Sequence, residues 1–521
     1  MSGVGVLSGY IQSGDRSISR QELMERAARA AEGLAEVGVG TGDCVAILMR
    51  NDLAFFEASF AASLLSGYAT PVNWNYTVDE AAYVIRDSGA RALVVHADLW
   101  HKLRAGGIED EIDGDQVTVM VVATPPDIAK AYGLDPVICD VATSDLDWDS
   151  WIDRPDQPET RTPEPVNSMI YTSGTTGRPK GVRRDPPTAA HSNALALMAE
   201  RAFDTKPEMR TVICGPMYHS APNAYSLLSA RIGATIFLQA RFDAEKLLAL
   251  IDREKLTHIH LVPTMFVRLL KLPEDVRARY DVSSLEFVIH AAAPCPPDVK
   301  QAMIDWWGPV INEYYGSTEA SITTFCTSED SLSHPGTVGR VMEDCELRVF
   351  HEDGSPCKPG EIGDIYTKRL TMTDFTYQNR GAEREDMEHE GLLTAGDIGY
   401  LDEDGYLFLC DRRKDMVISG GVNIYPAEIE SVLVLHPDVA DCAVFGIPDD
   451  EFGESVMAVV QPRPGSENNS DALKVFLRER IAGLKVPRRI EFQNDLPRED
   501  SGKIFKRKLR EPYWENAGRS I

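Results

Sequence analysis

The run Tyr171-Thr172-Ser173-Gly174-Thr175-Thr176-Gly177-Arg178-Pro179-Lys180-Gly181 constrains this chain more than any other feature. It follows residues 166–170, which read as a short buried strand. Its glycines let the backbone turn tightly and approach a ligand. The hydroxyls of Thr172, Ser173, Thr175 and Thr176 can donate to phosphate oxygens, and Lys180 adds a positive charge. The G-x-x-x-x-G-K-[ST] spacing of a Walker loop is absent. A plain polar linker has no need of lysine and glycine at these positions beside a strand. A phosphate cradle on an α/β framework is therefore expected.

The rest of the chain supplies that framework. At 521 residues it is too long for one core, so two or more domains are expected. Residues 19–38 have helical spacing, 45–49 read as a strand and 52–65 as a helix. Helix 78–87 and strand 92–95 follow, then helix 247–253 and strand 258–262. Strands alternating with helices predict mostly parallel sheets with covered faces. Residues 54–69, the most apolar stretch, carry Glu57 and several serines and read as an amphipathic helix, not a membrane span. Gly38 to Gly42 precede a strand at the wrong spacing for a dinucleotide fingerprint. Residues 142–165 are acidic and proline-rich and read as a surface connection. From 336 to 409 short strands punctuated by Asp-Gly and Pro-Gly turns predict a small β-rich subdomain.

Composition narrows the function classes. The formal charge of −28 argues against a nucleic-acid-binding surface. Nine scattered cysteines without a C-x-x-C pair fit reduced thiols better than a disulfide framework or a zinc site. Residues 1–16 have no signal-peptide pattern, so a cytoplasmic protein is expected, a monomer or homodimer with at most transient peripheral membrane contact. His258 and His260 share a strand face, but with no third ligand in view a core role is expected. Residues 503–510 are basic and read, Lys503 apart, as a solvated terminal helix.

Several further constellations carry chemistry. Tyr315-Gly316-Ser317-Thr318-Glu319 offers an aromatic face, a close-approach glycine, hydroxyls and a carboxylate for a hard cation. Small residues fill 290–296, and Asp397 stands in the turn Thr394-Ala395-Gly396-Asp397. Ser419-Gly420-Gly421 suits a backbone lining a narrow passage, and Ser501-Gly502-Lys503-Ile504 carries a lysine on a flexible loop.

Together these runs resemble the signatures of the adenylate-forming superfamily: acyl-CoA synthetases, firefly-type luciferases and peptide-synthetase adenylation domains. The resemblance implies an ATP-binding set comprising Thr172, Ser173, Gly174, Thr175, Thr176, Gly177, Lys180, Ala292, Ala293, Pro294, Glu313, Tyr315, Gly316, Thr318, Asp397, Arg412 and Lys503. Within it Tyr315 packs on adenine, Glu313 faces the adenine amino group, and Asp397 accepts both ribose hydroxyls. Arg412 contacts ribose or phosphate, and Thr318 meets the α-phosphate or acyl carboxylate. Glu319 ligates Mg²⁺, and Lys503 serves the first half-reaction. Ala291 stands where the family usually has glycine, and one residue is inserted between Thr394 and Gly396. Lys414 falls at the hinge, Ser419, Gly420 and Gly421 in the loop on the CoA side. His219 takes the aromatic gate position, and the acyl pocket is expected to involve His219, Ser220, Ala221, Met265, Ala291, Tyr314, Ser321 and Ile322.

The fold expected from the resemblance is a large N-terminal domain, 1–410, with two mostly parallel sheets, flanking helices and a β-rich part at about 336–410. A hinge at 411–414 and a small mobile α+β domain, 415–521, follow. The function expected is ATP- and Mg²⁺-dependent ligation of a carboxylic acid to CoA through an acyl-adenylate. No acidic residue follows His219 to hold a substrate ammonium, and no Lys or Arg lines the expected pocket. A hydrophobic acid is therefore expected, whether fatty, aryl-alkanoic or a steroid side-chain acid. The alternatives are a stand-alone adenylation enzyme loading an acyl-carrier protein, a luciferase-type oxidation, and a non-catalytic binding protein. The last would predict damage to Lys180, Glu319, Asp397, Arg412 or Lys503, and all five are intact.

Overall fold

The computed structural model describes residues 9–112, 116–153, 167–172, 178–449, 451–498 and 504–515. The chain divides into two compact units. The first comprises Met1–Leu261, Lys271–His290 and Leu370–Met387; the second comprises Val262–Leu270, Ala291–Arg369 and Glu388–Ile521.

The first unit is built on two sheets of the expected kind. One is wholly parallel, in the order Leu146–Asp147, Thr118–Val122, Ala90–His96, Cys44–Leu48, Tyr68–Pro71, Asn167–Ser168. Cys44–Leu48 is buried at every position, as a strand covered on both faces requires. In the other, Phe287–His290, His258–Leu261, Arg210–Ile213, Thr235–Leu238 and Tyr10–Ser13 run parallel, and Arg16–Ser19 turns back antiparallel at the edge. Helix Val78–Asp87 falls where its periodicity predicts. Thr77 accepts from Glu80 N–H while the Glu80 side chain accepts from Thr77 N–H, a reciprocal cap that fixes the start.

Two expectations are corrected. Helix Leu53–Leu64 is buried on all sides, not amphipathic. Glu57 marks no solvent face: it accepts from Arg26 Nε at 2.6 Å and from Trp148 Nε1 at 2.8 Å. Residues 142–165 are not merely a surface connection, because helix Trp148–Ile152 buries Trp148 completely.

The second unit carries an antiparallel sheet in the order Cys345–Phe350, Gly363–Arg369, Leu392–Leu401, Tyr406–Arg412, Thr337–Val341, Ser321–Cys326, Ile311–Ser317. The β-rich texture read from residue 336 thus begins earlier, at Ile311. A second sheet of Val422–Ile424, Val417–Ser419, Gly453–Pro462 and Val439–Asp449, with Arg489–Phe492 added in parallel, packs on helices Pro426–Leu433 and Ser470–Arg478 through Ile429, Leu433, Val444, Val460 and Leu473. Among the described residues no helix is long and apolar enough to cross a membrane.

Candidate active site

In the first unit the two ends of the signature loop meet. Thr172 and Lys180 are directly opposite across the antiparallel strands Ile170–Thr172 and Lys180–Arg184. Ser173, Gly174, Thr175, Thr176 and Gly177, which join them, lie outside the described residues. Lys180 forms an ion pair with Glu383, and its ammonium stands 5.1 Å from the centre of the Tyr377 ring. The hydrogen bond from Lys180, and then its charge, hold the Glu383 carboxyl below the usual carboxylate range. Glu383 escaped the sequence reading because nothing local marks it. His219, Ser220 and Ala221 open helix Ser220–Ile232, with His219 as the N-cap residue and its ring 4.3 Å from that of Tyr218.

In the second unit, side chains far apart in sequence converge. Tyr315 Oη donates to Asp397 Oδ2 at 2.9 Å, and Arg412 Nε lies 3.3 Å from Asp397 Oδ1. Strand register causes the second contact, because Asp397 and Arg412 are direct partners across Leu392–Leu401 and Tyr406–Arg412. Burial first, and then the Asp397 carboxylate, push the Tyr315 phenol far up, so it remains a donor. Among the described residues Asp397 accepts one hydrogen bond, from Tyr315, and has the Arg412 guanidinium beside its other oxygen; its side chain is 14% exposed. The turn before it is shaped locally: Gly396 has φ +79°, and its N–H donates to Thr394 Oγ1 at 3.0 Å.

The neighbouring motif is equally determined by backbone. Register slips between Tyr315 and Gly316, and a Cβ at Gly316 would stand 2.1 Å from the Ser321 carbonyl oxygen. Only glycine fits there. Thr318 and Glu319 occupy the tight connection to Ser321–Cys326, both half-buried. Ala292 (φ +73°) and Ser321 (φ +64°) are held in the left-handed region, at a cost of roughly 1–2 kcal/mol each for a non-glycine residue. Glu313 is buried with its carboxylate on the Lys300 ammonium. Met265, Ala291, Tyr314 and Ile322 are buried, whereas Ala293 is partly exposed and Pro294 exposed.

Lys414 lies in the short 3₁₀ turn Arg413–Asp415, and its carbonyl accepts from Arg510 at 3.4 Å. Gly420 (φ +57°) and Gly421 (φ +80°) form the turn between Val417–Ser419 and Val422–Ile424. Lys503 lies outside the described residues. Within the basic run beside it, Lys506 is not a solvated side chain: its ammonium is 2.8 Å from Glu430 Oε1. The carboxylate that engages it lies 76 positions away, and no sequence spacing announces it.

Folding also brings His258 the partners absent from its own stretch. The ligand atoms of Asp204, His258 and Glu286 all lie within 4.8 Å of one another. The cluster already contains a cation, however: Lys206 Nζ is 2.6 Å from Glu286 Oε2 and 3.2 Å from Asp204 Oδ2. That arrangement is a charge-neutralising staple between chain segments.

Two family models match this chain: AMP-binding enzyme over residues 7–374, and AMP-binding enzyme C-terminal domain over residues 428–503. Feruloyl-CoA synthase of an Amycolatopsis species is 32% identical over 512 residues, 96% of this chain and 95% of the relative. The 2-succinylbenzoate–CoA ligase of Geobacillus kaustophilus is 32% identical over 502 residues, 96% of this chain and 94% of the relative. The solved structure of the anthranilate CoA ligase AuaEII in complex with anthranoyl-AMP matches with a TM-score of 0.83 at 25% identity, over 98% of this chain and 95% of that one. The chain belongs to the AMP-binding enzyme family, within the adenylate-forming superfamily, and groups there with the AMP-forming acyl-CoA synthetases.

Proposed function

We propose that this enzyme ligates a hydrophobic, ring-bearing carboxylic acid to CoA, with ATP as the energy source. The observation that carries the nucleotide half is Asp397. Its carboxylate is oriented by Tyr315 and Arg412 with acceptor positions to spare, which suits the paired hydroxyls of a ribose. The apolar lining expected of the acid site, and relatives whose names specify feruloyl, succinylbenzoate and anthranilate acids, support the ring-bearing acid and CoA as acceptor.

In the first half-reaction an oxygen of the acid attacks the α-phosphorus of ATP and pyrophosphate leaves. Lys503 aligns carboxylate and phosphate and offsets the developing charge. Glu319, with the Thr318 and Ser317 hydroxyls near it in sequence, is a hard-oxygen donor set that fits Mg²⁺. When bound, Mg²⁺ would neutralise phosphate charge. In the second half-reaction the segment after Lys414, taken as residues 415–521, rotates about the hinge at 411–414. The loop of Ser419, Gly420 and Gly421 then lines the approach of the CoA thiol, which attacks the acyl carbonyl and expels AMP.

A pyrophosphate-release screen tests this reading, run with ATP, CoA and acids graded by chain length and ring number. Cinnamic-type and fused-ring acids are expected to outrun straight-chain acids. Turnover only in the presence of an acyl-carrier protein would overturn the choice of CoA. Lys503→Ala is expected to lose roughly two orders of magnitude or more in pyrophosphate release, while converting synthetic acyl-adenylate and CoA to thioester near the wild-type rate. Equal loss in both assays by a folded variant would remove Lys503 from the role given to it.

A further inference from the structure

Lys503 is carried on a segment whose two flanks are held firmly. Arg498 and Ile504 form an antiparallel bridge, and Phe505 N–H donates to the Pro497 carbonyl at 2.8 Å. Arg498 is itself anchored, donating to Asp441 Oδ2 at 2.6 Å and to Gln461 Oε1 at 2.7 Å. Three residues beyond Lys503, Lys506 opens helix Lys506–Trp514. Its Nζ is 2.8 Å from Glu430 Oε1 and 3.0 Å from Oε2. Glu430 belongs to helix Pro426–Leu433, and its Oε1 also accepts Val444 N–H, at 2.6 Å, from strand Val439–Asp449. One carboxylate therefore joins the start of one helix, the body of another and a sheet strand. Burial pushes the Glu430 carboxyl up, to about 7, against the opposing pull of Lys506 and the Val444 N–H.

The terminal helix is held by apolar packing as well. Ile504, Leu509 and Tyr513 already pack on Phe445, Met457, Val459 and Leu496, and Trp514 Nε1 donates to the Gly446 carbonyl at 3.0 Å. Apolar packing is non-directional, so it leaves the orientation of the first residue of the helix to polar contacts. A two-oxygen contact from an ammonium to a carboxylate that is itself held by a strand N–H does fix it.

We propose that Lys506 is a positioning residue. Its ion pair with Glu430 fixes the start of helix Lys506–Trp514 on helix Pro426–Leu433, and adenylation depends on this anchor three positions after Lys503 in the sequence. This inference rests on the reading of Lys503 as the adenylation lysine. Lys506 and Glu430 both follow Lys414, so the pair travels intact with the C-terminal segment. Its influence is thus confined to the half-reaction that uses Lys503.

The test compares the two half-reactions in the full-length enzyme. Lys506→Met is expected to lower kcat for pyrophosphate release about tenfold or more, with KM for ATP changed less than threefold. Thioester formation from synthetic acyl-adenylate and CoA should stay within twofold of wild type. Lys506→Arg should restore adenylation, since the guanidinium meets the same carboxylate. Glu430→Gln should reproduce the split, and the double variant should be no worse than the poorer single, as for residues acting through one contact. If Lys506→Met does not fold, Glu430→Gln alone decides. Unchanged adenylation, parallel loss in both assays, or failure of arginine to rescue would overturn the proposal. A wild type that forms no adenylate with any acid would instead overturn the ligase reading on which it rests.

Discussion

Two polar clusters in this molecule look alike as residue inventories and differ in what they leave undone. Around Asp397 a carboxylate, a phenol and a guanidinium converge; around His258, two carboxylates, an imidazole and an ammonium do. In the second cluster a lysine already stands between the carboxylates. Lys206 bridges Asp204 and Glu286, and His258 Nε2 meets Asp204 Oδ2 at 3.0 Å while its Nδ1 meets Thr257 Oγ1 at 2.8 Å. In the first cluster one carboxylate, 14% exposed, is oriented by a phenol at one oxygen and a guanidinium beside the other, with no lysine among the described contacts. The lesson is that proximity of ionisable groups does not make a site. A site needs a group held in place by its neighbours with capacity left for a ligand.

The largest effect expected from this contrast is at Asp397. Asp397→Ala removes an ionised acceptor for two hydroxyls, each such bond contributing ~1.5–3 kcal/mol. kcat/KM for ATP should fall about a hundredfold or more, alongside a loss of about 1–3 kcal/mol of stability because the buried Tyr315 hydroxyl loses its acceptor. Steady-state kinetics at varied ATP would measure it. A loss under threefold would mean that the Asp397 cluster is as structural as the His258 one.

How far these differences were legible before folding depends on where the information lies. Helix Val78–Asp87 was readable because its apolar spacing and its Thr77–Glu80 cap are local. Helix Leu53–Leu64 was misread because the groups that satisfy Glu57 are 31 and 91 positions away, at Arg26 and Trp148. The same distinction runs through the candidate site. Residue types at 315–319, 394–397 and 412 were readable as chemistry. That Tyr315 would donate to a carboxylate 82 positions on is a consequence of strand order. Lys506 and Lys206 were unreadable for that reason: a lysine's role is set by the carboxylate it meets, and both meet theirs through tertiary structure.

A smaller effect sharpens the view that the sheet around His258 serves stability. His260, on the same strand, is 5% exposed beside the rings of Phe203 and Tyr225. Burial lowers its pKa from 6.5 to about 4. A histidine held neutral in the fold but free to charge when unfolded contributes stability above pH 6.5, and that contribution is lost as pH falls towards 4. From those two values the loss reaches about 1.4 kcal/mol by pH 5.5. His260→Leu should therefore flatten the difference in urea midpoint between pH 7.5 and pH 5.5. An unaltered difference would place the acid sensitivity elsewhere.

The smallest effect tests the closed cluster directly. Lys206 is 38% exposed, and Asp204 and Glu286 are 46% and 52% exposed, so screening by water keeps the value of these pairs low. Lys206→Met keeps most of the side-chain stem and removes the charge. Its expected loss of stability is under ~1 kcal/mol, and kcat/KM should stay within twofold of wild type because none of the residues given a role in the proposed chemistry belongs to this cluster. The informative readout is metal. Without the ammonium, two carboxylates and the Nε2 of a buried imidazole face one another at ligand distances, a donor set that suits Zn²⁺. Micromolar Zn²⁺ should then raise the melting temperature of Lys206→Met and leave that of the wild type unmoved, since in the wild type the bound cation is already covalently part of the chain. Stabilisation of both proteins alike would show that Lys206 does not fill the position, and the cluster would have to be counted as open in the same sense as Asp397.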